Sequence, residues 1–567
     1  MAETLSIADV NPPLSIRETF GRGRLIPLIA GLMLGMLLAA LDQTIVSTAL
    51  PQVIGHLSGS SQDYTWVITA YLLASTVAVP IYGKLSDIYG RRVFFLGGMV
   101  VFLLGSALSG TSQNMTQLIV YRALQGLGAG ALMPIAQAII GDIFPPAERG
   151  KWQGLFIAVF GFATILGPVL GGSITDNWGW RWIFYINMPV GAFALLIAGL
   201  AMPKLAARRQ HRIDYFGSAT LMLWAVPLLL ALSLGGQTVN GTELAWNSWQ
   251  ILGLFGFAAV MLVAFFIIEL HAAEPIISPR LFKSSIFSVS IFTTLLLSAG
   301  MFGAIAFLPL FVQGALGQSA TNSGLVITPM MVGFMVSSLI GGQLLSRTGR
   351  YKLLALVGFV IAAVGMYLLS RMGIATTNGE LVRNMIVTGL GIGVMMSLFT
   401  IVVQNAFPFR QLGEVTATLS FFRQMGSTIG LAVFGVVLSH TLVSNLQANI
   451  PAPLKPYVSA SQLSQLSPTQ SSASPSAALQ SKLAQFGPQG VVLLQQLEHA
   501  IKTSLAASIT QVFLIGSGLM MVCFLATLFL REIPLRKSHG HEPAVGAPGS
   551  PATEEGESMP VTAELGL

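Results

Sequence analysis

The chain has 567 residues, of which 53% are hydrophobic and 9% charged. A soluble globular chain carries about 25% charged residues, so this composition excludes an ordinary soluble domain. The formal net charge of +7 and pI near 9.6 would direct a soluble domain towards nucleic acid, but here the cations sit in short loops between apolar blocks. They are read as topology determinants, and no nucleic-acid partner is expected.

Apolar blocks of about 20 residues, the length that crosses a bilayer, recur fourteen times. They fall near 25–50, 64–83, 93–110, 116–140, 152–174, 181–202, 213–234, 249–270, 286–313, 322–345, 352–370, 382–405, 414–440 and 507–530. The first is too long for a signal-peptide core. An even number of spans puts both termini on one side. With the N-terminus inside, the inner segments hold 21 Lys and Arg and the outer segments six. The loop carrying Lys204, Arg208, Arg209 and Arg212 is the densest. Cations concentrate in cytoplasmic loops, so both termini are expected in the cytoplasm. The spans are expected to lie in contact with lipid.

The fold class expected is an all-α integral membrane protein of two six-helix bundles plus two extra helices. The division is 1–24, a cytoplasmic tail; 25–202, the first bundle; 203–271, a linker with the two extra spans; 272–535, the second bundle; and 536–567, a disordered tail. Within the second bundle, 441–506 is rich in Ser, Gln, Ala and Pro. It reads as a mainly flexible outer loop in which SAALQSKLAQF and VVLLQQLEHAIKTSL form amphipathic helices.

In chain order, the first span carries LDQTIVSTALP, with Asp42 inside an otherwise uncharged apolar run. A carboxylate at membrane depth costs about 2.5–3.5 kcal/mol on insertion scales and is functional by default. The competing reading is an acid paired for structure alone. After the second span comes GKLSDIYGRR, residues 83–92, whose Gly83 and Gly90 permit close backbone approach. There Asp87 is placed to pair with Arg91 or to cap a helix N-terminus. Lys84, Arg91 and Arg92 also suit plain anchoring on the inner side. A weaker copy, GQLLSRTGRY, starts at Gly342, 259 residues later, with Ser346 in place of Asp87. Halves duplicated in this way are a transporter signature.

In the fourth span Arg122, Gln125, Gly126, Ala129 and Gly130 share one helical face. A guanidinium at that depth needs a partner, and Asp42 is the candidate; snorkelling to the outer interface is the alternative. The fifth span holds GPVLGG, with Gly167, Pro168, Gly171 and Gly172 forming a closely packed, kinkable stretch. Trp178, Trp180 and Trp182 fit an aromatic belt, and Trp66 and Tyr71 fit either a belt or a cavity. Gln404, Asn405, Arg423 and Gln424 are candidate cavity residues, equally readable as packing hydrogen bonds. Cys523 stands alone and builds no disulfide or metal site. HExxH, Walker A and GxSxG patterns are absent. No enzyme activity, metal or cofactor is expected.

LDQTIVSTALP, GKLSDIYGRR, YRALQGLGAG, GPVLGG and WRWIFYINMPVG occur in that order. Together they resemble the major facilitator superfamily, in its fourteen-helix drug:proton antiporter branch, the QacA/EmrB-type multidrug exporters. The resemblance covers about residues 25–535 and, with the short soluble tails, implies a bacterial inner (plasma) membrane protein. It implies proton coupling at Asp42 and Arg122, a conformational latch at Gly83, Asp87, Gly90, Arg91 and Arg92, and an antiporter hinge at Gly167, Pro168, Gly171 and Gly172. It implies a monomer driven by the proton gradient, exporting lipophilic or amphipathic small molecules by alternating access. A dedicated exporter of one metabolite or lipid, or a transport-inactive receptor or scaffold, are the alternatives.

Overall fold

The computed structural model describes residues 22–57, 61–202, 214–239, 242–317, 327–408, 411–450 and 488–535. The basic loop 203–212, the SAALQSKLAQF segment and the tail 536–567 lie outside the described residues. Among the described residues, fourteen helical spans are long and apolar enough to cross a membrane. In chain order they are α1 (Arg22–His56), α2 (Ser61–Tyr89), α3 (Arg91–Thr111), α4 (Met115–Ile143), α5 (Pro146–Trp178), the short α6 (Trp182–Tyr185) with α7 (Asn187–Ala201) as one span, α8 (Tyr215–Leu234), α9 (Trp249–His271), α10 (Ser285–Leu310), α11 (Thr328–Thr348), α12 (Tyr351–Ser370), α13 (Asn378–Ala406), α14 (Leu412–Asn449) and α15 (Pro488–Leu528). Among the described residues the only strands form a two-stranded antiparallel ribbon, β1 (Gln237–Val239) and β2 (Thr242–Leu244), between α8 and α9.

Local chemistry sets the breaks. Gly90, at φ 101°, separates α2 from α3 with a backbone that only glycine adopts freely. The Asn114 side chain accepts from the Gln117 N–H and starts α4. Thr377 and Glu380 form a reciprocal capping box at the start of α13. Pro168 lies inside α5, which continues past it to Trp178.

The last two helices differ from expectation. α14 has 38 residues and α15 has 41, whereas about 20 cross a bilayer. The segment VVLLQQLEHAIKTSL is helical as expected, but it is continuous with the final span. Asn445 Nδ2 donates to Ser508 Oγ at 2.9 Å and Asn449 Nδ2 to Ser504 Oγ at 3.1 Å, so the two extensions are tied side by side.

α1–α7 pack together as one bundle and α10–α15 as another. α8 and α9 pack on each other, with α8 against α2 and α14. The bundles meet along α5 with α11 and α2 with α14. On α5, Gly150, Gly154, Gly161 and Gly172 recur at helical spacing on one face. A Cβ added at Gly150 would strike Gly342, at Gly154 it would lie 2.6 Å from the Ser338 carbonyl oxygen, and at Gly161 2.7 Å from Met335 Cγ; at Gly172 nothing lies within 4 Å. On α14, a Cβ at Gly413 would strike Asp87 and Arg91, Gln424 Oε1 accepts from Thr76 Oγ1 at 2.8 Å, and at Gly435, again on that face, nothing lies within 4 Å. The bundles therefore touch at the end carrying Gly83 and Gly342 and part towards the end carrying Gly172 and Gly435.

Candidate functional site

Asp42 lies within α1 and is fully buried. Arg122 Nη1 donates to Asp42 Oδ2 at 2.6 Å. Gln125 Nε2 and Asn187 Nδ2 both donate to Oδ1, at 2.9 and 3.0 Å. The pairing comes from three helices: α4 supplies Arg122 and Gln125 one turn apart, and α7 supplies Asn187 in its first residue. Gln125 Oε1 accepts from Arg122 Nη1 at 2.7 Å. Asn187 also donates to Ser106 Oγ at 3.0 Å, and Ser106 donates to the Phe184 carbonyl at 2.9 Å. The guanidinium carbon stands 4.2 Å from the centre of the Tyr71 ring, a cation–π contact that gains strength when desolvated.

This arrangement has one chemical property that matters. Every hydrogen bond described for Asp42 is one it accepts. Asp42 and Arg122 are both buried, so loss of either charge would leave the other without its partner. Breaking a buried pair in this way is expensive because an uncompensated charge remains. The expected partnership of Asp42 and Arg122 is found in the structure, and Arg122, 2% exposed, does not snorkel.

The glycine-rich stretch of α5 packs directly against α1 beside Asp42. A Cβ at Gly167 would collide with Thr44, and one at Gly171 would lie 2.9 Å from the Ile45 carbonyl oxygen. Thr44 Oγ1 donates to the Ala163 carbonyl at 3.2 Å. Gly172 faces open space and Pro168 is half-buried.

At the closed end, Asp87 and Arg91 form an ion pair. Arg91 Nε donates to Asp142 Oδ2 at 3.0 Å and Nη1 to Ser86 Oγ at 2.7 Å. Asp87 Oδ2 also accepts the backbone N–H of Glu414 at 3.0 Å. That N–H is one of the orphan donors in the first turn of α14, so an anion of one bundle caps a helix of the other. Gly83 packs on Ala417. Arg92 stands apart from this network: it donates to the Met202 and Gly199 carbonyls at 2.9 and 2.6 Å, where a cation suits the end of α7. In the weaker sequence copy Ser346 stands where the first copy has Asp87. There Gly342 and Gly150 bring two backbones into contact, with Ser346 beside them.

The remaining candidates are scattered. Gln404 Nε2 donates to the Gln137 carbonyl at 3.2 Å and to Thr416 Oγ1 at 3.0 Å, which places it in the closed junction. Asn405 donates to the Pro534 carbonyl at 3.2 Å. Arg423 is buried and donates to Thr400 Oγ1 at 3.1 Å. Gln424 joins the bundles through Thr76. Trp178 and Trp182 are exposed as a belt requires, but Trp180 is buried against Phe184. Sequence reasoning missed Asn187, Ser106, Asp142 and the buried Glu414. Each is a polar residue inside or at the end of an apolar helix, a signal that was present but was masked by neighbouring motifs.

A family model described as the Major Facilitator Superfamily matches residues 32–431. The chain is 40% identical over 521 residues to the multidrug transporter protein MdtP of Bacillus subtilis (strain 168), covering 90% of this chain and 93% of that protein. It is 43% identical over 418 residues to multidrug resistance protein 3 of the same organism, covering 74% and 80%. Among solved structures it resembles the human organic anion transporter MFSD10 (TETRAN), with a TM-score of 0.57 at 14% identity, covering 88% of this chain and 99% of that one. At that identity the likeness concerns the fold.

Proposed function

The chain belongs to the Major Facilitator Superfamily, and from that premise we propose that it is a proton-coupled antiporter exporting lipophilic or amphipathic small molecules across the bacterial inner membrane. The fully buried Asp42–Arg122 pair, closed by Gln125 and Asn187, carries this reading. The names of its relatives in Bacillus subtilis support multidrug efflux. The excess of cations in the inner loops supports cytoplasmic termini, which puts the closed Gly83–Gly342 end at the cytoplasm and the parted end outside.

In this scheme the two bundles rock about a midplane site. A proton entering from outside neutralises Asp42, frees Arg122 and displaces substrate. Release of that proton to the inside restores the pair. Each elementary charge crossing 100 mV supplies about 2.3 kcal/mol. The chain's own role is to hold and hand over a proton at the Asp42 carboxyl while Arg122, Gln125 and Asn187 keep it in place.

The test is substrate-driven proton flux in proteoliposomes with an internal pH dye, comparing wild type with Asp42→Asn over a panel of lipophilic compounds. Flux in the wild type that disappears in the variant is the expected result. Undiminished flux in Asp42→Asn would move coupling to another group.

A further inference from the structure

Between the extra helix pair and the second bundle the chain runs through residues 272–278, and this linker docks on the closed end. Lys84 Nζ lies 2.8 Å from Glu274 Oε2 and 3.8 Å from Glu414 Oε2. Glu414 Oε1 accepts the Ser278 N–H at 2.9 Å, while the Glu414 N–H is held by Asp87. Further back, the Ile276 N–H donates to Glu269 Oε1 at 3.3 Å, and Glu269 sits buried near the end of α9. One lysine on α2 thus joins three pieces of chain: the first bundle, the start of α14 and the linker. The Gly83–Arg92 motif accounts for Lys84 and Asp87 but assigns nothing to residues 272–278.

From these contacts we infer that the linker is a third arm of the latch, with Glu274 and the Ser278 N–H holding Lys84 and Glu414 together and coupling the closed end to the α8–α9 pair. The physical ground is geometric. When the bundles separate at this end, Lys84 travels with α2 and Glu414 with α14. Ser278 is bonded to Glu414 and Glu274 to Lys84, so the short linker spans the line of separation and at least one of its contacts must break. The side chains of Lys84, Glu274 and Glu414 are 14%, 30% and 7% exposed, so salt screens the pairs less than at an open surface. The linker adds weight to the closed state, and the extra helices gain a task through it.

This inference rests on alternating access, and the experiment separates the two. Hydrogen exchange, read by mass spectrometry, is followed on the full-length protein in lipid nanodiscs, in peptides covering residues 83–92 and 412–420. Glu274→Gln is expected to speed exchange in both by about twofold to fivefold, the range of a partly exposed ion pair. Lys84→Met does the same, and the double variant exchanges no faster than the quicker single one. Lys283→Gln, an exposed cation just beyond the linker, leaves both peptides unchanged. Wild-type exchange that responds to pH or substrate together with an unaltered Glu274→Gln would overturn the third arm alone, as would single effects that multiply in the double variant. Wild-type exchange indifferent to both pH and substrate would remove alternating access, and this inference with it.

Discussion

Asp42 takes three donors from two other helices, and the loss of any one is felt because the site holds no exposed surface for water to repair. Asn187 is the informative case, since it serves Asp42 and Ser106 at once. Hydrogen bonds to charged groups contribute about 1.5–3 kcal/mol, so Asn187→Ala is expected to lower thermal stability by that order. In an Asp42→Asn background the same change costs less, because the charge that made the bond strong has gone. A thermal-denaturation double-mutant cycle measures the difference, and additive effects would mean that Asn187 acts through Ser106 and packing rather than through the Asp42 charge. Asp42 and Arg122 were legible in the sequence because a lone charge in an apolar run is conspicuous. Asn187 was not, because it sits among the aromatics of WRWIFYINMPVG and its partner lies 145 residues away. Asp142 was hidden for a related reason: it closes a span, where a carboxylate excites no suspicion, and only the fold brings it to Arg91.

At the scale of an element, α5 shows how one motif divides into unlike parts. GPVLGG supplies small residues that the sequence treats alike. In the helix, Gly167 and Gly171 face α1 and carry the close approach to Thr44 and Ile45, whereas Gly172 looks into the opening between the bundles. Overpacking a tight junction costs about 1–3 kcal/mol, while a change away from such contacts stays within about 0.5 kcal/mol. Gly167→Ala is therefore expected to destabilise the protein and to suppress substrate-driven proton flux by displacing α1 beside Asp42. Gly172→Ala is expected to match wild type in both thermal melt and flux. Equal behaviour of the two variants would show that the motif acts through backbone flexibility common to its glycines rather than through packing against α1. The existence of the helix and its smallness were readable from composition; which glycine bears the contact depends on a helical phase relative to two neighbours, which the sequence does not carry.

Across the whole molecule, the repeat at an offset of 259 residues identified two related halves, and the structure gives each copy the same duty by different means. Gly83 of α2 closes on α14 with a charge network around it, and Gly342 of α11 closes on the Gly150 backbone of α5, with Ser338 Oγ donating to the Gly154 carbonyl at 3.2 Å one turn further along. The end at which the halves meet was not legible, because it is a property of the assembled bundles and not of either repeat. It is open to direct measurement with a membrane-impermeant thiol reagent. The native Cys523 is fully buried and supplies a silent background. Ser346→Cys places a near-isosteric thiol in the closed junction beside Gly150, and Gly172→Cys places one in the opening on the same side of the bundle interface. With no gradient and no substrate, Gly172→Cys should react with reagent added outside, and Ser346→Cys should resist it from either side. A proton gradient with substrate present should expose Ser346→Cys from the inside and slow the labelling of Gly172→Cys, because a rigid rocking motion cannot open one end without narrowing the other. Labelling of both thiols together would describe a continuous pore, and a pore dissipates the gradient that an antiporter must keep.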